Sequence, residues 1–270
     1  MKKFVPILTA LFVLALVSLA CQISTSNIDI GIDSVRGSGN VVEEQRPVSG
    51  IKSVRLANQG DVFIELGEQE SLVIEAEDNL LEYITSELIG SELVLRTRPG
   101  VNLRNSAPIR YYLTVTELEE LSVSSSGDID APRFETTDFR IEVSSSGDVK
   151  LDELDVERLR VKISSSGDVA IGNLYAEEID LNISSSGSLT VLGGQVDEQD
   201  VTISSSGDYS ARDLQSRAAS VRISSSGTAT LRVSEEIDAS LSSSGDLYYL
   251  GSPSLNARQT SSGEVVRIGE

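Results

Sequence analysis

The stretch Val143–Val149 reads VSSSGDV, and the chain writes it again as ISSSGDV at residues 163–169 and ISSSGDY at 203–209. The glycines of the motif are Gly127, Gly147, Gly167, Gly187, Gly207, Gly227, Gly245 and Gly263, five steps of twenty residues followed by two of eighteen. Gly39-Asn40 and Gly60-Asp61 are fainter echoes upstream. A fixed period of this length marks an array in which each repeat stacks on its neighbour.

Inside one period the hydrophobic pattern is that of strands. Leu159, Val161 and Ile163 alternate with Arg160 and Lys162, and after the SSSG stretch Val169 and Ile171 alternate with Asp168 and Ala170, the period of two of a half-buried strand. Gly172-Asn173 reads as a turn, and Leu174 falls one residue out of step, as expected after a corner. Ile179, Leu181, Ile183, Leu189 and Val191 repeat the pattern, as do Val201 with Ile203 and Val221 with Ile223. One period buries too few aliphatic side chains to offset the conformational entropy of ordering it. If each turn lies on the last at ~4.8 Å, every strand pairs above and below and the apolar residues form continuous columns. The sequence therefore predicts an all-β chain folded as a parallel β-helix, a β-solenoid of ~20-residue rungs, right-handed by the usual preference of parallel crossovers.

The SSSG stretch then reads as corner chemistry. If the strand runs straight, Ser165 shares a side with Ile163, while Ser164 and Ser166 face out. Stacked serines ~4.8 Å apart cannot bond one another directly, so an inward hydroxyl should seek corner backbone groups. Glycine permits a positive φ or close approach to the neighbouring rung. A functional reading of the same columns is a flat hydroxyl-bearing face for a glycan or another ordered lattice. The scarcity of aromatics, 4% of residues, weighs against a sugar site in the rungs.

The residue after each glycine is Asp128, Asp148, Asp168, Ser188, Asp208, Thr228, Asp246 or Glu264. Stacked carboxylates repel by roughly 1 kcal/mol per neighbouring pair in water. Asp128, Asp148, Asp168, Asp208 and Asp246 are thus either a weak cation or ligand column, or solvated and locally bonded turn residues. Ser188 and Thr228 interrupt any continuous ion row.

The N-terminus adds a location. Met1-Lys-Lys, an apolar run from Phe4 to Ala20, and the small residues Ser18-Leu19-Ala20 read as a signal peptide over residues 1–20. Cys21, the one cysteine, follows at once. A lone cysteine in an exported chain has no disulfide partner, and its place after the cut resembles a bacterial lipoprotein signal, with Ser18 where leucine is usual. The competing reading is secretory cleavage after Ala20. Residues 21–36 are polar and aperiodic, a tether. The expected protein is extracytoplasmic and held to a membrane through its N-terminal lipid only.

A formal net charge of −20 argues against nucleic acid and against docking on anionic headgroups. The absence of histidine removes Ser-His-Asp and Cys-His catalysis and histidine metal ligands; no cofactor or metal is expected. The one enzyme class left open is a polysaccharide lyase or a glycosidase using paired carboxylates.

The SSSGD rungs, with GSGNVVEEQRPVSGIKSVRLANQGDVFIEL before them and IEAEDNLLEYITSELIGSELVLRT between, resemble the bacterial head GIN domain family of adhesin-like heads, from about Gly37 onward. The resemblance implies an extracytoplasmic β-helix-like fold. No translocator barrel follows the rungs, so a lipid would be the anchor. Residues 37–105 read as an irregular N-terminal cap with first rungs, Asp78-Asn79 capping a short amphipathic helix through Leu88, and residues 106–270 as regular rungs. The function expected is a non-enzymatic adhesin-like or envelope-binding module whose partner is an unidentified surface polymer or protein. A self-associating structural protein is the alternative.

Overall fold

The computed structural model describes residues 33–270. The expected leader, Cys21 and the tether up to residue 32 lie outside them, and the tether's last residues, Asp33–Arg36, form a strand paired with Val101–Arg104.

The alternating segments fuse into long strands. Val149–Ile163, Val169–Ile183, Ser188–Ile203, Asp208–Ile223 and Thr228–Leu241 each lie parallel to the next. Val149 pairs with Val169 and Ile163 with Ile183, so the register equals the sequence period. Pairing lapses at Asp152/Gly172 and at Glu157/Glu177. Each turn is therefore three straight runs joined by two corners and closed by the SSSG bend. The result is a β-solenoid of about 8 turns. Leu174, past the Gly172 corner, is fully buried with Leu159, Ile163 and Ile171 in one core that runs from Ile51 to Leu247. Stacking puts like residues on like, so the columns fill without complex side-chain fitting.

The N-terminal third joins this lattice and then departs from it. Ser53–Ala57 pairs in parallel with Glu120–Val123, and Asp61–Leu66 with Ile129–Ala131, a layer directly beneath the Gly127 rung. Glu92–Thr97 and Arg110–Val115 add a further parallel layer. Antiparallel strands complete this end: Ile84–Ile89 on Glu92–Thr97, Ser71–Glu77 on Arg110–Val115, and Val41–Arg46 outermost.

Two expectations are corrected here. The helix after Asp78-Asn79 is only a 3-10 turn, Leu81–Tyr83, followed at once by the strand Ile84–Ile89. The β-branched pair Ile84-Thr85 and an available antiparallel edge outweigh the amphipathic spacing. Asp78 and Asn79 cap no helix; they accept from Ser38 Oγ (2.5 Å) and the Ser38 amide (2.9 Å). Gly39-Asn40 is likewise no rung. Gly39 turns the chain at φ +83°, whereas Gly60-Asp61 is the true first member of the column.

Where the spacing drops from twenty to eighteen, the lattice adjusts locally. Ala211 pairs with Leu231 but Gln215 pairs with Arg232, leaving a bulge between them, and a second shift falls between Ser216 and Ala218.

Candidate functional site

The repeat glycines stack. A Cβ on Gly127 would lie under 3.0 Å from the Gly60 carbonyl, and the same holds for Gly147 on Gly127, Gly167 on Gly147 and Gly187 on Gly167. None of the eight has a positive φ. Of the two roles open to glycine, the structure uses close approach. The amide of Gly167 donates to Ser145 O at 3.0 Å and that of Gly187 to Ser165 O at 2.9 Å.

Parity places the serines as expected: Ser164 and Ser166 are exposed and Ser165 is half-buried. Several hydroxyls reach backbone carbonyls of the rung below, Ser125 Oγ to Asn58 O and Ser144 Oγ to Val123 O among them.

The aspartates make a ladder between rungs. Asp61 Oδ1 accepts the amide of Asp128 at 3.2 Å, Asp128 Oδ1 that of Asp148 at 2.8 Å, Asp148 Oδ1 that of Asp168 at 2.7 Å, and Asp168 Oδ1 that of Ser188 at 2.8 Å. Each of these four carboxylates thus carries an amide of the next rung, which offsets the repulsion of stacking. Above Ser188 the pattern changes: the Asp208 amide, with no carboxylate beneath it, donates to Gly187 O (3.4 Å), and the Thr228 amide donates to Gly207 O (3.2 Å) although Asp208 lies beneath it. Asp246 resumes the ladder by accepting from Glu264 at 2.9 Å. Among the described residues no group of three or more Cys, Asp or Glu side chains is placed to hold a metal ion.

Two buried polar groups are tied into the framework. Glu77, fully buried, accepts the Gly39 amide (2.7 Å), the Ser106 hydroxyl (2.6 Å) and the Ser106 amide (2.8 Å). The Ser106 hydroxyl and these backbone donors hold its pKa below the usual carboxylate range against the opposing cost of burial. In the core, Tyr209 donates to Gln199 (2.6 Å), Gln199 to Ser216 (2.8 Å) and Ser216 to the Arg232 carbonyl (2.7 Å).

Two of the surface concavities border the features described above. One is a notch of about 890 Å³ over the bulge, bordered by Asp197, Asp213, Arg217 and Arg232, with Arg217 paired to Glu198 and Glu235. The other, about 380 Å³, lies beside the aspartate ladder and is bordered by Asp61, Phe63, Asp128, Asp130, Asp148 and Lys150. Phe63 stacks on Tyr112, ring centroids 5.7 Å apart and planes 22° from parallel. Sequence reasoning missed this pair. Phe63 lies between the inward Val62 and Ile64, so its outward direction was legible; its pairing with a residue forty-nine positions on was not.

The comparisons agree with this geometry. A family model described as "Putative auto-transporter adhesin, head GIN domain" matches residues 51–172 and 160–253. Solved structures with the same fold include one named a putative adhesin from Parabacteroides merdae, at 18% identity and a TM-score of 0.83, covering 87% of this chain and 99% of that one. Another, named a putative lipid binding protein from Parabacteroides distasonis, has 23% identity and a TM-score of 0.80, covering 87% of this chain and 100% of that one. No match was found among curated proteins. With its rungs, its glycine column and the matched residues all in agreement, the chain belongs to the head GIN domain family.

Proposed function

We propose that the protein is an extracytoplasmic, non-enzymatic binding head that attaches to a surface polymer, and that lipidation of Cys21 holds it to a membrane. Family membership carries this reading: the family and several of its structural relatives are described as adhesins. The architecture is consistent with it. Buried polar groups such as Glu77 and Tyr209 serve the framework, while the outward columns are free to meet a partner. The chain has no histidine, which removes histidine-dependent triads and histidine metal ligands.

The test is to incubate the purified protein with sacculi, envelope polysaccharides and matrix proteins, and to score retained protein and released sugar. Retention without product supports a binding head. Released sugar overturns the non-enzymatic reading.

Self-association is a second reading. The strand Ser254–Gln259 is exposed throughout and pairs with Glu236–Leu241, leaving Leu255 40% exposed. Light scattering separates the two, since self-association predicts a size that grows with concentration.

A further inference from the structure

We infer that Tyr112, Phe63 and the neighbouring heads of the aspartate ladder form a shelf for a linear, neutral polysaccharide lying along the solenoid axis. The inference deepens the binding-head reading and rests on it. Three aromatic side chains are exposed among the described residues, Phe63, Tyr112 and Tyr175, and two of them stack on each other. Phe63 and Tyr112 are 37% and 41% exposed, so two adjoining aromatic faces stay in water on an acidic molecule.

Their surroundings supply polar recognition. Phe63 pairs with Tyr112 on one side and with Asp130 on the other, and Asp130 pairs with Lys150. The Lys150 ammonium lies 3.4 Å from the Asp130 carboxylate. In the adjacent column the Oδ1 atoms of Asp61, Asp128 and Asp148 are fixed by backbone amides. Their Oδ2 atoms are thereby positioned, without further ordering, to accept ligand hydroxyls.

This combination fits a pyranose. Its C–H face packs on an aromatic ring, and its hydroxyls can both donate to carboxylates and accept from an ammonium. Past Lys150 the same outward column continues with Ala170, Thr190 and Ser210. The track advances ~4.8 Å per rung, comparable to one residue of an extended polysaccharide. The carboxylates on the shelf and the net charge of −20 disfavour a polyanion, and the exposed faces of Phe63 and Tyr112 favour the C–H face of an uncharged sugar.

A cross-strand aromatic pair also stabilises a sheet, so the test reads binding and stability together. The probes are the neutral hexasaccharides of glucose, mannose and N-acetylglucosamine in β-1,4 linkage, with hexagalacturonate as the acidic comparison. Binding is followed by saturation-transfer NMR and calorimetry. At least one neutral hexasaccharide is expected to bind, hexagalacturonate to bind more weakly, and Phe63→Ala with Tyr112→Ala to weaken binding about tenfold or more. Tyr112→Phe, which keeps the ring, should retain binding. If the double variant does not fold, Lys150→Ala on the exposed side of the shelf provides the same test through a several-fold loss.

The shelf is overturned if no neutral hexasaccharide binds, if hexagalacturonate binds best, or if the alanine variants bind as the wild type does. Wild type and double variant retained equally on sacculi or polysaccharides would refute the shelf and leave the binding head standing. Wild type retained on nothing refutes both.

Discussion

Gly167→Ala tests the stacking argument directly. The added Cβ would meet the Gly147 carbonyl oxygen well inside 3.0 Å, Val143 Cγ1 at 2.8 Å and Ser145 O at 2.9 Å. Two of these atoms are backbone of the rung below, which is itself paired to the rung beneath it, so no side-chain rotation relieves the clash. The bend must lift. Lifting it strains the Gly167 amide bond to Ser145 O at 3.0 Å and the Asp168 amide bond to Asp148 Oδ1 at 2.7 Å. Overpacking of this kind costs roughly 1–3 kcal/mol, and weakening the two hydrogen bonds adds about 1–2 kcal/mol. A total of about 3 kcal/mol corresponds to a melting point lower by about 6–12 °C for a chain of this size. Circular dichroism melts give the shift, and amide exchange at Gly167 and Asp168 shows whether the loss is local. Gly39→Ala is the control: its φ is +83° and no atom lies within 4 Å of an added Cβ, so its cost, about 1 kcal/mol, is conformational strain alone. If Gly167→Ala melts no lower than Gly39→Ala, close rung stacking is not what selects glycine here.

Other substitutions probe the polar framework. Asp148→Ala removes the acceptor of the Asp168 amide and should cost about 1 kcal/mol in urea unfolding, by analogy with loss of a helix N-cap; Asp148→Asn keeps an acceptor and should cost less. Glu77→Gln should lower the melting point at pH 7, where the wild-type carboxylate is ionised. Because the folded pKa of Glu77 lies below its ordinary value of 4.5, its stabilisation is full above that value and is lost as pH falls through the folded pKa. The gap between wild type and variant should therefore close on acidification, and a gap constant from pH 7 to pH 3 would contradict this origin. Tyr209→Phe strands the Gln199 carbonyl in the core and should cost about 1–3 kcal/mol, with most of the loss recovered by adding Gln199→Leu. Cys21→Ser should move the protein from the membrane fraction to the soluble one, as immunoblotting of fractionated cells would show.

The rung lattice was legible because every turn repeats the same constraint. Ile163, Val169, Ile171 and Leu174 could be placed inside from parity and one corner. The inter-rung Asp ladder was not, since a local turn bond and a bond to the next rung involve the same residue type at the same spacing, and only the register distinguishes them. The helix expected through Leu88 failed because amphipathic spacing over nine residues fits either state until the partner strand Glu92–Thr97 is known. The Phe63–Tyr112 shelf was half legible: parity sent Phe63 outward, but the first layer forms between segments distant in sequence.

The same physics explains why the repeat says little about the partner. An inward residue is fixed by the residues above and below it in its column, so Ile163, Ile183, Ile203, Ile223 and Leu241 share one chemistry over successive rungs. An outward residue meets water and a few neighbouring side chains. The column through Tyr112, Phe63, Asp130, Lys150, Ala170 and Thr190 accordingly changes chemistry at nearly every step while the backbone register beneath it stays constant. Substitution at the exposed positions outside the aromatic pair costs little stability. Recognition is thus free to vary on a scaffold whose period is under strong constraint, and its signal belongs where the outward pattern departs from small and polar. Among the described residues one such departure is a stacked pair of exposed aromatic rings, Phe63 and Tyr112 in the N-terminal layers.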